Sequence, residues 1–118
     1  MKARAFLTGY RSKVAFGSKR MLMRLVRPWA PFIPEEYLRR IPVVGRVGIS
    51  LPNGHRVRLK TDGYDYVTSS LYWNGLGGYE PGTIRLFLRL LSRADVFIDI
   101  GANTGLYALI AAAENSCR

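Results

Sequence analysis

Val96-Phe97-Ile98-Asp99-Ile100-Gly101-Ala102-Asn103-Thr104-Gly105-Leu106-Tyr107 is the most informative run in this 118-residue chain. Val96, Phe97 and Ile98 show no polar alternation before Asp99, the pattern of a strand buried on both faces, as in a parallel sheet. Gly101 and Gly105 then bracket Asn103. Glycine accepts positive φ and lets a ligand touch the main chain. Beyond Gly105, Leu106, Leu109, Ile110 and Ala113 fall at i, i+3, i+4 and i+7, one face of a helix. A strand, a glycine turn and a helix in that order make the first half of a nucleotide-cofactor site in an open α/β sheet.

Upstream of this run, Glu80-Pro81 opens a second helix, with proline at a position where its missing N–H costs nothing. Ile84, Phe87, Leu88 and Leu91 form its buried stripe. Arg85, Arg89 and Arg93 recur every four residues on a solvated outer face, a phosphate-binding role being the alternative. Residues 92–95 turn the chain into the expected strand. Residues 64–79 hold Tyr64, Tyr66, Tyr72, Trp73 and Tyr79, interrupted by Gly75, Gly77 and Gly78. They read as a half-buried connection packed on the sheet or, alternatively, as a cofactor or substrate wall over the glycine turn. Residues 43–59 read as a hairpin: Val47, Ile49 and Leu51 alternate, Pro52-Asn53-Gly54 supplies turn chemistry, and Val57 and Leu59 alternate again. Arg56, Arg58 and Lys60 take the opposite face. His55 is expected to be exposed beside the turn, and residues 61–65 to form another turn.

The first third of the chain differs in charge. Residues 1–46 carry eleven Lys/Arg and two Glu, whereas residues 47–118 carry seven Lys/Arg and six Asp/Glu. The basic excess thus belongs to the N-terminal segment. Residues 1–34 hold no acid, and their bases alternate with Phe6, Leu7, Phe16, Met21, Leu22, Leu25 and Trp29. After Ser18, an N-cap candidate, Arg20, Arg24 and Arg27 share one helical face and Met21, Leu22 and Leu25 another. Such an arm is disordered or solvated, or it touches an anionic membrane surface weakly, or it is a cleaved presequence or has incidental nucleic-acid affinity. It matches no nucleic-acid module, so no specific nucleic-acid partner is expected. Pro28, Pro31 and Pro34 make a stiff connector, and residues 35–40 a short helical turn. This divides the chain into a basic arm and connector over 1–42 and a domain over 43–118. No apolar run is long enough for a spanning helix, and no signal-type apolar region follows the first basic residues. Cys117 is the single cysteine and His55 the single histidine, so neither a disulfide nor a metal site is expected within the chain. The cysteine count fits a reducing compartment, and the expected location is cytoplasmic.

Spacing separates the possible ligands. A dinucleotide fingerprint needs G-x-G-x-x-G, but Asn103 and Leu106 occupy the second and third glycine positions; a phosphate loop needs a lysine that is absent. Asp99 at the strand end repels a pyrophosphate and suits a ligand bearing ammonium and sulfonium groups. The N–H groups after Gly101 can meet neutral or carboxylate oxygens.

Residues 96–105 resemble motif I of class I S-adenosylmethionine-dependent methyltransferases. The D-x-G-A-N-x-G form at Asp99 to Gly105 resembles the FkbM-type family. So does the order of hairpin, Gly78-Tyr79-Glu80-Pro81, amphipathic helix and motif strand over about residues 43–115. The resemblance implies a Rossmann-like α/β fold and methyl transfer to oxygen, on a hydroxyl of a sugar or other small molecule, with S-adenosyl-L-methionine as cofactor. It implies that Asp99, Gly101, Ala102, Asn103 and Gly105 line the methionine and ribose end of the cofactor, with Glu80 as a further contact. Each also has a purely structural reading: glycines and Asp99 as turn formers, Asn103 as an N-cap, Glu80 as a helix-start acid. The family's second-strand acid, adenine-side residues and candidate bases would lie after Arg118, so no residue here is assigned as catalytic. The expectation is a fragment, hairpin plus first strand-helix unit, inactive alone. Two other readings stand beside it: a non-enzymatic basic peptide binding membrane surfaces, and an NAD-dependent Rossmann enzyme, which the glycine spacing disfavours.

Overall fold

A computed structural model describes residues 17–114. The arm positions up to Phe16, and Cys117, lie outside the described residues. Residues 17–26 form helix α1. A 3-10 segment, Arg27–Phe32, follows, with Pro28 in its first turn and Pro31 inside it. Then come α2 (Glu35–Leu38), strands β1 (Gly45–Ser50) and β2 (Arg56–Thr61), α3 (Tyr66–Asn74), a 3-10 turn (Gly75–Gly78), α4 (Pro81–Leu91) and α5 (Leu106–Glu114).

The hairpin forms as its alternation requires. β1 and β2 pair antiparallel, with Val47 opposite Leu59 and Ile49 opposite Val57. These four side chains are buried, while Arg46, Arg56, Arg58 and Lys60 face outward. The turn closes through Gly54 N–H to Leu51 O at 3.0 Å, and Gly54 takes φ +86°, a conformation that favours glycine. Under the sheet lies one core, in which the hairpin residues meet Val43, Val44, Val67, Leu71, Tyr72, Ile84, Leu91, Leu106, Ile110 and Met23. Met23 comes from α1, so the segment ahead of residue 43 shares this core. The Val44 N–H donates to Met23 Sδ at 3.4 Å, and the Tyr72 hydroxyl donates to Met23 O at 3.2 Å.

One expectation is refined and one is corrected. The connection expected over residues 64–79 does pack on the hairpin, and most of it is helical, forming α3. Asp65 starts this helix by accepting from the N–H groups of Val67 at 3.0 Å and Thr68 at 3.2 Å, and from the Thr68 hydroxyl. β-Branched and aromatic residues of modest helix propensity hid it, and packing against the hairpin overrides that propensity.

The correction concerns the run before the glycine turn. The sheet has two strands among the described residues, and residues 95–100 pair with neither. Val96, Ile98 and Ile100 are 68 %, 76 % and 92 % exposed, against the burial on both faces that their pattern predicts. Of the apolar side chains at 96–100, Phe97 packs inward, with its ring 5.2 Å from that of Phe87. The physical reason is that a parallel-type strand is buried by neighbours on its edges and helices on its faces. The described residues supply one packed side chain and no ladder.

Candidate functional site

The glycine turn is built as its sequence requires. Gly101 has φ +78°, Asn103 φ +50° and Gly105 φ +72°. Asparagine is among the few residues that tolerate the left-handed region, so the Gly-x-Asn-x-Gly spacing meets three local demands at once. The Gly105 N–H donates to Ala102 O at 2.7 Å, closing the turn. Leu106 then begins α5, and the Leu109 N–H donates to Gly105 O at 3.0 Å. No atom lies within 4 Å of where a Cβ on Gly101 or Gly105 would stand. Backbone angle, not crowding, therefore requires these glycines, and the main chain is open to approach from that side.

The far end of α5 is fixed by the hairpin. Asn53 Nδ2 donates to Ala113 O at 3.3 Å, and His55 Nδ1 lies 2.5 Å from the same oxygen. A carbonyl can only accept, so Nδ1 carries the proton. His55 is exposed beside the turn, as expected, yet it helps set where α5 lies and so where the glycine turn sits against the sheet.

Asp99 is half-buried, and its Oδ2 is buried with no hydrogen-bond partner. A carboxylate oxygen without a donor is costly to bury, so a donor-bearing cationic group brought to it is favoured.

Glu80 stands at the start of α4 with φ +41°, a left-handed conformation uncommon for a glutamate. Its carboxylate accepts from the Tyr107 hydroxyl at 3.0 Å. Burial and then the Glu80 carboxylate push the Tyr107 phenol up to about 12, and burial first and Glu80 next raise Tyr79 as well. Both groups therefore remain neutral donors at ordinary pH. The Phe87 ring stacks edge-on against Tyr107 at 5.0 Å, joining α4 to the first turn of α5. Tyr107 is a residue that spacing arguments passed over. Its place two residues after Gly105 was the available signal.

An open cleft of about 740 Å³ lies beside the turn at Asn103 and Thr104. Asn103, Thr104 and Leu109 line it from the turn and α5; Arg58, Leu59 and Lys60 of β2, with Asp62, Tyr64, Asp65, Tyr66 and Thr68, form the rest. Asp99, Gly101, Ala102, Gly105 and Glu80 do not line it. The structure thus brings Glu80 to the first turn of α5 through Tyr107 and puts Asn103 at the cleft, with Asp99 at the head of the turn. Of the aromatic run, Tyr64 and Tyr66 reach the cleft, whereas Tyr72 belongs to the core. Arg85, Arg89 and Arg93 are exposed, and the Arg85 Nε donates to Pro81 O at 3.3 Å.

Comparison of the chain with family models, curated proteins and solved structures gives no match.

Proposed function

We propose that this chain carries the methyl-donor site of an S-adenosylmethionine-dependent methyltransferase of Rossmann-like α/β architecture, acting at oxygen. The observation that carries the reading is the unpartnered Asp99 carboxylate oxygen immediately ahead of a turn with three positive φ angles. When bound, the cofactor supplies a methyl group activated by its sulfonium. The chain's own residues do the rest. Asp99 offers a carboxylate to the cationic end of the ligand, where a diphosphate would be repelled. Gly101, Ala102, Asn103 and Gly105 offer exposed main chain for close approach. Glu80 holds the entry of α5 by accepting from Tyr107. The polar and aromatic cleft beside Asn103 suits a hydroxylated acceptor such as a sugar, because Tyr64 and Tyr66 offer ring faces while Asp62, Asp65 and Thr68 offer hydrogen-bonding groups.

A cytoplasmic location belongs to the same proposal and rests on the single cysteine. No helix among the described residues is long and apolar enough to cross a membrane.

Calorimetric titration of the chain with S-adenosylmethionine tests the reading. Asp99→Ala is expected to weaken binding at least about tenfold, equivalent to about 1.4 kcal/mol. Equal affinity in the variant removes Asp99 from the site. A nicotinamide dinucleotide titrated in parallel is expected to bind more weakly; the reverse order favours a dehydrogenase.

A further inference from the structure

Helix α1 holds Met21, Leu22 and Leu25 away from the core. Met23 is 5 % exposed and packs against the hairpin. With successive residues about 100° apart around a helix, Met21 and Leu25 lie about 160° from Met23, and Leu22 about 100°. All three are exposed. In the 3-10 segment that follows, Ala30 is buried while Trp29 and Phe32 are 65 % and 81 % exposed. The helix is held in this orientation by the two bonds to Met23 and by the Arg27 guanidinium, which lies 4.4 Å over the Tyr72 ring. No described residue covers this face, because five large apolar side chains remain open.

Among the described residues, α1 and the 3-10 segment carry Lys19, Arg20, Arg24 and Arg27 and no acid; Glu35 and Glu36 follow in α2, where Glu35 pairs with Arg39. Residues 1–34 contain eight Lys/Arg and no Asp/Glu. Lys19, Arg20 and Arg24 stand on α1 itself. A neutral apolar partner would gain nothing from this charge, and a nucleic acid would leave the apolar side chains without a role.

We propose that α1 and the segment after it dock on an anionic phospholipid surface. Met21, Leu22, Leu25, Trp29 and Phe32 enter the headgroup and acyl boundary, and the Lys and Arg side chains remain at headgroup level. The helix lies in the plane of the surface, with Met23 keeping the rest of the chain attached above it.

The test is sedimentation of the full chain with phosphatidylcholine vesicles containing about one third phosphatidylserine, against phosphatidylcholine alone. Binding is expected to be at least about tenfold stronger on the anionic vesicles and to weaken in high salt. A Leu22→Glu, Leu25→Glu double variant, its fold checked by circular dichroism, is expected to lose at least about tenfold. Tryptophan emission is expected to shift to the blue on anionic vesicles, and Trp29→Phe to abolish the shift while leaving Trp73 in place. No sedimentation, equal binding to neutral vesicles, or wild-type binding by the double variant overturns the proposal. Wild-type binding by the double variant together with release by heparin identifies a general polyanion site in place of a lipid one.

Discussion

Val47, Ile49, Val57 and Leu59 of the hairpin and Val96, Ile98 and Ile100 ahead of the glycine turn are the same kinds of side chain in opposite surroundings. The first set pairs across a ladder and is buried over α3 and the ends of α4 and α5. The second set stands exposed, on backbone that joins no strand among the described residues. This antiparallel pair carries its own partner across the five residues 51–55, whereas a parallel-type strand depends on segments distant in sequence. The turn at Gly101 to Gly105 forms regardless, because its geometry is set by the φ preferences of three residues. Local chemistry can therefore set the shape of this bend without a surrounding ladder.

Core truncation gives the widest contrast. Leu71, fully buried in α3 beneath the hairpin, is expected to lose about 2–5 kcal/mol on substitution by alanine. Ile98→Ala is expected to fall within about 0.5 kcal/mol of the parent in the same urea unfolding measurement. A large loss at Ile98 would mean that the segment is buried and the contrast false.

Glycines sharpen the comparison. A Cβ on Gly78 would stand 2.3 Å from Ser70 O, a backbone atom that cannot swing aside. Gly78→Ala is expected to cost about 1–3 kcal/mol through overpacking. Gly101→Ala meets no atom at all, so its cost, about 1–2 kcal/mol, comes from positive φ alone. Thermal unfolding of the pair separates the causes, since Gly101→Asn is expected to recover part of the loss and Gly78→Asn none.

The two aspartates differ in the same way. Asp65 accepts from two backbone N–H groups, and Asp65→Ala is expected to cost about 1 kcal/mol of stability. Asp99 has an oxygen with no donor, so Asp99→Ala is expected to leave stability unchanged or raise it slightly while lowering cofactor affinity. Destabilisation at Asp99 would make it a structural acid.

The smallest expected effect concerns pH. The folded Tyr107 phenol titrates at about 12, against an unfolded value of about 10. Below pH of about 10 both states hold the proton. Between about 10 and 12 the unfolded chain loses it first, so stability falls as pH rises through that window. Tyr107→Phe is expected to flatten this decline in unfolding measured across alkaline pH.

Much of this was legible in the residues. The hairpin, its turn, α4 from Pro81 and the start of α5 at Leu106 all follow from periodicity and glycine or proline placement. α3 was hidden because Tyr-Val-Thr-Ser-Ser has poor helix propensity, and only Asp65 as its cap betrays it. The exposure of Val96, Ile98 and Ile100 was hidden because hydrophobic pattern reports what a segment is suited to, and burial depends on which partners surround it. Glu80 was placed near the site by resemblance, but its bond to Tyr107 depends on how α4 packs against α5, which no spacing rule encodes. Met23 is likewise invisible in sequence: among Met21, Leu22 and Leu25 it reads as one more apolar residue, yet it alone of the four turns inward.

The most direct experiment is an amide-resolved NMR titration of the chain with S-adenosylmethionine. Shifts are expected at Gly101, Asn103 and Gly105, with Gly54 of the hairpin turn unmoved and the response lost in Asp99→Ala. Shifts confined to other residues, or no shift at millimolar ligand, would contradict the assignment of this turn as the methyl-donor site.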